Sequence, residues 1–347
     1  MIDIVEEENV VIEGNESVMN NGIDSIKATS LPLVTHMYTA DPSAHVFNNT
    51  LYVYPSHDIE TQNGQTDDGE HFAMSDYHVF SLECPFGAVT DHGNALDVKD
   101  VKWAEKQMWA PDAATKDDKY YLYFPAKAYD GIFRIGVAVS DKPEGPFTPE
   151  DNYIQGTYSI DPAVFQDEND YYLYVGGIMG GQLQCWRDGQ FGEEVYPEDD
   201  QPALKPLMAK LDDSMTGLDH ELVEIDIIDE NGELLKTGDE ERRYFEGPWV
   251  HKHNGLYYFS YSTGTTHKIA YATSESPYGP FTYRGVILNP VIGWTTHHSV
   301  VQYQGKWFLF YHDSSLSGGQ THLRNIKMAE LHHNDDGSIE TINPYLD

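Results

Sequence analysis

The sequence predicts an all-β chain folded as a five-bladed β-propeller. Three observations carry that expectation. Aromatic residues make up 13% of the chain, with 24 Tyr, 29 Gly and 18 Pro, a mixture that suits short strands and tight turns. An aromatic strand preceded by a polar Asn/Asp/Gly turn recurs five times. Aligning these strands on the second aromatic position places one key residue eleven positions upstream in every copy.

The copies run in order. Asp41 precedes Tyr52 by eleven residues, Asp161 precedes Tyr172, Glu246 precedes Tyr257, and His297 precedes Phe308. In the remaining copy, Trp109-Ala110-Pro111-Asp112, Ala110 holds the position ahead of Tyr121, and Pro111 falls where Pro42 and Pro162 fall. A second echo relates 136–147 to 269–281, each a strand, a Pro/Gly loop and another strand. Each unit therefore holds about four strands. The key positions 41, 110, 161, 246 and 297 are 69, 51, 85 and 51 residues apart. Propeller blades repeat every ~40–50 residues, so the longer intervals carry inserted loops, the largest between Arg187 and Arg243. Residues 1–30, polar and weakly patterned, are expected as an N-terminal arm or edge segment, with 31–347 forming a single propeller domain.

Composition narrows the function. Acidic residues number 57 against 21 basic ones, a formal net charge of −36. That field repels nucleic acid and anionic membranes and leaves a small neutral ligand, such as a sugar, unopposed. No apolar run reaches the length of a membrane span. The N-terminus lacks a basic segment followed by an apolar one, so a cytoplasmic location is expected. Cys84 and Cys185 make no disulfide framework and read as small packed residues.

Radial repetition converts register into proximity. Equivalent positions at the starts of the inner strands converge on one mouth of the central channel, so Asp41, Asp161, Glu246 and His297 should share a pocket. Like charges in a partly desolvated site push their pKa values apart. One carboxyl then stays protonated near neutrality while another is ionised, the pairing that acid/base cleavage of a glycosidic bond requires. Trp103, Trp109, Trp249 and Trp294 are candidate sugar-stacking faces, and Trp109, one residue before its blade's key position, is the preferred one.

These residues resemble those of family 43 glycoside hydrolases, five-bladed propellers acting as β-xylosidases and α-L-arabinofuranosidases. The resemblance runs from about Thr35 to Leu331. It rests on Thr39-Ala40-Asp41-Pro42, Trp109-Ala110-Pro111-Asp112, Ser159-Ile160-Asp161-Pro162, Glu246-Gly247-Pro248-Trp249 and His297-His298-Ser299-Val300. It implies Asp41 as the general base that activates water, Glu246 as the general acid, and Asp161 as the carboxylate that orients that acid and raises its pKa. It further implies His297 beneath the sugar and beside a central calcium ion, and Arg324 hydrogen-bonding the terminal sugar. Neighbouring His298 leaves the histidine ambiguous by one residue, and the eleven-residue register selects His297. Calcium prefers oxygen ligands, so one histidine among waters would make an unusual shell. An inverting enzyme of this kind places its base and acid carboxyls ~6.5–9.5 Å apart. No organic cofactor is implied.

Two alternative readings share part of this pattern. A retaining fructan-cleaving propeller would use a Glu-Cys-Pro motif, and Glu83-Cys84-Pro85 is present. It lies before Asp161 instead of after it, and Ser159-Ile160 stand where an Arg is needed. A non-catalytic sugar-binding propeller would have the same pocket without an ionised base facing a protonated acid. Pocket depth is expected to depend on the inserted stretches between Asp58 and Lys102 and between Arg187 and Arg243.

Overall fold

The computed structural model describes residues 27–187 and 189–346. Five sheets radiate from a common axis, antiparallel except where Ile227–Ile228 run parallel beside Phe281–Leu288. Blade 1 comprises Tyr38–Phe47, Thr50–Asp58, Asp76–Leu82 and Val89–Asp97, and blade 2 comprises Asp112–Lys116, Lys119–Ala128, Phe133–Ser140 and Thr148–Pro149. Blade 3 holds Ala163–Asp167, Asp170–Val175, Leu207–Lys210 and Val223–Glu224, and blade 4 holds Tyr244–His253, Leu256–Thr263, Ile269–Ser274 and Phe281–Leu288. Blade 5 has His298–Tyr303, Lys306–Asp313 and Asn325–Leu331. The expected five-bladed propeller is the observed one.

The polar turns seen in the sequence join the first and second strands of each blade. Four of them, Asn48-Asn49, Asp117-Asp118, Asn254-Gly255 and Gln304-Gly305, have both central residues at positive φ. That backbone matches the right-handed twist of the flanking strands and is why Asn, Asp and Gly recur there.

The aromatic residues weld blade to blade. Two positions beyond the aligning aromatic stand Tyr54, Tyr123 and Tyr174, each essentially buried. Tyr54 donates to the Pro143 carbonyl at 2.6 Å, Tyr123 to that of Met215 at 2.8 Å and Tyr174 to that of Pro277 at 2.9 Å. Each phenol thus buries its ring in the core and satisfies its hydroxyl on a loop of the next blade. In blades 4 and 5 the same position is Phe259 and Phe310, fully buried without a hydroxyl.

The ring closes at blade 5. The Leu33 N–H donates to the Ile326 carbonyl and the Thr39 N–H to that of Arg324, both at 2.9 Å, so the chain entering blade 1 runs along the last strand of blade 5. Lys27–Ala28 pair antiparallel with Tyr345–Leu346. The described end of the expected N-terminal segment is therefore an edge strand, and residues 1–26 lie outside the described residues. Among the described residues no helix is long and apolar enough to cross a membrane. Cys185 is buried as expected, but Cys84 is exposed, on the turn between the last two strands of blade 1.

Candidate active site

The five key positions meet. Asp41, Ala110, Asp161, Glu246 and His297 all line one pocket at the axis, a cavity of about 360 Å³. The backbone explains how their side chains reach it. Asp41 and Asp161 have φ of 50° and 58°, and Gly247, directly after Glu246, has φ of 65°. The ladders of blades 1 and 4 slip register at Ala40/Ser43 and around Glu246. A bulge at the start of an inner strand re-aims one side chain without disturbing the rest of the sheet. A Cβ at residue 247 would also lie 3.1 Å from His297 Nδ1, so glycine keeps this corner open.

On one side of the pocket, Asp41 is nearly buried and held by cations and donors. Arg324 Nη1 donates to its Oδ1 at 2.9 Å, and Ser56 Oγ to its Oδ2 at 2.7 Å. The same guanidinium grips Asp58 at both oxygens, 2.8 Å each, and lies over the Phe72 ring. The Asp41 N–H donates to His312 Nδ1 at 3.0 Å, which leaves the imidazole proton on Nε2, facing Thr295. Burial raises the Asp41 pKa, but the Arg324 charge and the contacts of His312 and His297 together outweigh it and hold the carboxyl far below its ordinary range.

The opposite side lacks such a cation. Asp161 is buried and accepts the Gly247 N–H at 3.0 Å. Burial and then the charge of Glu246 raise its pKa well above normal. Glu246, half-buried at the pocket surface, is pushed up to about 8, by desolvation and then by Asp41. The two carboxyls titrate as a pair that keeps a proton near neutrality. Burial likewise lowers the His297 pKa to about 4, so its imidazole is neutral.

The residues around His297 offer calcium little. Its nearest carboxylate atom is Asp161 Oδ2, 3.8 Å from Nδ1. One imidazole nitrogen and one carboxylate edge fall far short of the six to eight oxygens calcium takes. Among the described residues, the one cluster with metal-ligand spacing lies elsewhere. These side chains do not by themselves form a calcium cage.

Two expectations about the pocket wall change. None of the described residues of 187–243 lines the cavity; they supply the outer strands of blade 3 and a separate groove. The wall comes from the loop 59–75, through Thr66, Gly69 and Phe72, and from Ile178 to Gly181. Trp109 does line the pocket, yet it is only 8% exposed. Its indole Nε1 donates to the Phe72 carbonyl at 2.8 Å, and its ring lies so close under Gly69 that a Cβ there would sit 2.6 Å away. It supports the wall. Trp294, 41% exposed and edge-on to Phe245, presents the open aromatic face. Trp103 stacks on Phe124, and Trp249 donates to the Val300 carbonyl, both in the core.

Sequence reasoning missed Asp58 and His312, which fall outside the eleven-residue register. Asp112, part of the Trp109-Ala110-Pro111-Asp112 motif, is fully buried and bonds Ser43, His45 (2.6 Å) and the Val164 N–H (2.5 Å), joining blades 1, 2 and 3.

Comparison with known proteins places this geometry. A model of glycosyl hydrolases family 43 matches residues 34–339. The chain is 56% identical to a xylosidase/arabinosidase 43A of Humicola insolens, covering 90% of this chain and 99% of the relative. It is 48% identical to a beta-xylosidase of Xylanibacter ruminicola over 88% and 97%. Among solved structures, a β-xylosidase/α-arabinofuranosidase from a compost microbial metagenome, in complex with xylotriose and calcium-free, superimposes with a TM-score of 0.90. The two are 60% identical, over 93% of this chain and 100% of that one. A family member from Xanthomonas citri complexed with xylose gives 0.88 at 59% identity, over 92% and 94%.

Proposed function

The chain belongs to glycosyl hydrolases family 43, and from that premise we propose an exo-acting, inverting glycoside hydrolase that releases terminal xylose or arabinofuranose from short hemicellulose oligosaccharides. The observation that carries the mechanism is the split in charge state: Asp41 is held ionised by Arg324, while the Asp161/Glu246 pair retains a proton. Glu246, the pair's member nearer the open pocket, protonates the leaving glycosidic oxygen. Asp41 takes a proton from the water that attacks the anomeric carbon from the opposite face. The bond to the leaving sugar breaks as the bond to water forms, and the product emerges with inverted configuration. Asp161 shares the pair's proton and, by accepting the Gly247 N–H, orients the segment that carries Glu246. Neutral His297 and the Arg324 guanidinium offer the sugar hydrogen-bonding groups, and Trp294 offers an apolar face.

The cavity is at the small end of ligand pockets, which suits a terminal sugar unit more than a polymer. The similarity to proteins solved with xylotriose and xylose points to the same sugar class. The test is turnover of nitrophenyl β-xyloside, nitrophenyl α-arabinofuranoside and xylobiose, with the first-formed anomer of xylose followed by NMR. Inversion with loss of turnover in Asp41→Asn supports the reading. Binding of xylooligosaccharides without cleavage would leave a sugar-binding propeller instead, and retention would reject Asp41 as the base.

A further inference from the structure

Away from the axis, blade 1 carries a second constellation. His57 is the penultimate residue of one strand, and Asp76 and His78 are the first and third of the next, all on one face of the sheet. One ligand atom from each lies within 4.8 Å of the others. His57 Nδ1 is 2.9 Å from Asp76 Oδ1, His78 Nε2 is 3.7 Å from Asp76 Oδ2, and the two imidazole centroids are 5.3 Å apart. The three side chains are 21%, 15% and 16% exposed, sheltered yet reachable from solvent.

The surroundings orient these groups. His78 Nδ1 is 3.2 Å from Asp91 Oδ1, so its proton belongs on Nδ1. The Nε2 lone pair of a neutral His78 then points toward the Asp76 carboxylate, two electron-rich atoms facing across a short gap. A cation between them resolves that conflict. Asp91 in turn bonds His36 Nε2 at 2.8 Å, and Asn94 Nδ2 donates to Asp76 Oδ2 at 3.0 Å. A carboxylate behind a histidine and an amide behind a carboxylate are the outer partners that fix ligands in metal sites.

We propose that His57, Asp76 and His78 bind a divalent transition metal of the zinc type at the stem of the pocket loop. Two imidazoles and one carboxylate suit zinc and its neighbours and not calcium, and they leave a fourth position for water. The position has a consequence for the active site. Residues 59–75, which wall the pocket, are the segment between His57 and Asp76. A metal joining those ends closes the loop at its base and removes conformational freedom from it. It also holds the strand end carrying Asp58, the residue that positions Arg324. Because the imidazoles must be neutral to ligate, binding releases protons and tightens as pH rises.

The test uses the whole chain, freed of metal by chelator and dialysis, titrated with Zn²⁺ by calorimetry and with Co²⁺ by visible absorption. One ion per chain is expected, with cobalt bands from imidazole ligation and slower proteolysis within 59–75. The His78→Asn and Asp76→Asn variants should lose this site, and Asp91→Asn should weaken it about 10–100-fold. His297→Asn should keep it, which separates it from any cation at the axis. Circular dichroism and nitrophenyl-xyloside turnover report whether His78→Asn is folded, and Asp91→Asn keeps the test sound if it is not. No isotherm with the wild-type chain, or one unchanged in His78→Asn and Asp91→Asn alike, overturns the proposal.

Discussion

The two walls of the axial pocket carry the same functional group in opposite states. On the side of blades 1 and 5, Asp41 is ionised beneath Arg324; on the side of blades 3 and 4, Asp161 and Glu246 hold a proton. All three carboxyls sit at the same register, Asp41 and Asp161 buried and Glu246 half-buried. What separates them is the setting of Asp41, foremost the guanidinium of Arg324, which stands just before the last strand of blade 5 and is shared between Asp41 and Asp58. Charge state here is a property of neighbours, and residue type does not set it.

The comparison can be broken most sharply at its two ends. Asp41→Asn should cut kcat by at least about 10²–10⁴-fold, the range for removing an acid/base group, on every substrate. Glu246→Gln should cost as much on xylobiose but distinctly less on nitrophenyl β-xyloside, whose leaving group needs little protonation. Equal losses on both substrates would contradict its role as the acid.

Removing the cation should erase the asymmetry. Arg324→Ala leaves Asp41 and Asp58 buried and unpaired, a change of about 3–5 kcal/mol, read as a lower denaturation midpoint. Asp41 then titrates higher, so the acid limb of the kcat/KM profile moves up in pH. An unmoved limb would detach Arg324 from the charge state of Asp41.

The pH profile sharpens the other wall. A proton on the Asp161/Glu246 pair is required for activity, and Glu246 loses its proton near pH 8. Activity should therefore fall as pH rises through about 8, while the acid limb lies well below the usual carboxylate range because ionised Asp41 is the active form.

The smallest expected effects separate scaffold from site. Tyr54→Phe deletes one interblade hydrogen bond and should cost about 1 kcal/mol of stability with kcat unchanged. Trp294→Ala should raise KM several-fold with the fold intact, whereas Trp109→Ala should loosen the 59–75 wall and lower stability as well.

Much of this was legible from the residues because a propeller is a repeat. The turn pairs, the aromatic strands and the eleven-residue offset are local patterns, and radial symmetry carries a shared register into a shared pocket. Asp41, Asp161, Glu246 and His297 could be found that way. Asp58 and His312 could not, since each is placed by a contact across more than 250 residues of chain with no periodic signal. Of the two stretches expected to set pocket depth, 58–102 supplies wall residues and 187–243 does not, for a related reason: the length of an insertion does not say which end of its blade it leaves. Trp109 was preferred because it neighbours a key position, but packing under Gly69 turned its ring to support the loop.

By itself the sequence determined the number of blades, the order of their strands and the residues aimed at the axis, because these follow from short-range periodicity. Only the tertiary structure decided which carboxyl is charged, which tryptophan faces the pocket and which loop closes it. Those outcomes depend on desolvation and on single long-range contacts, and neither leaves a pattern along the chain.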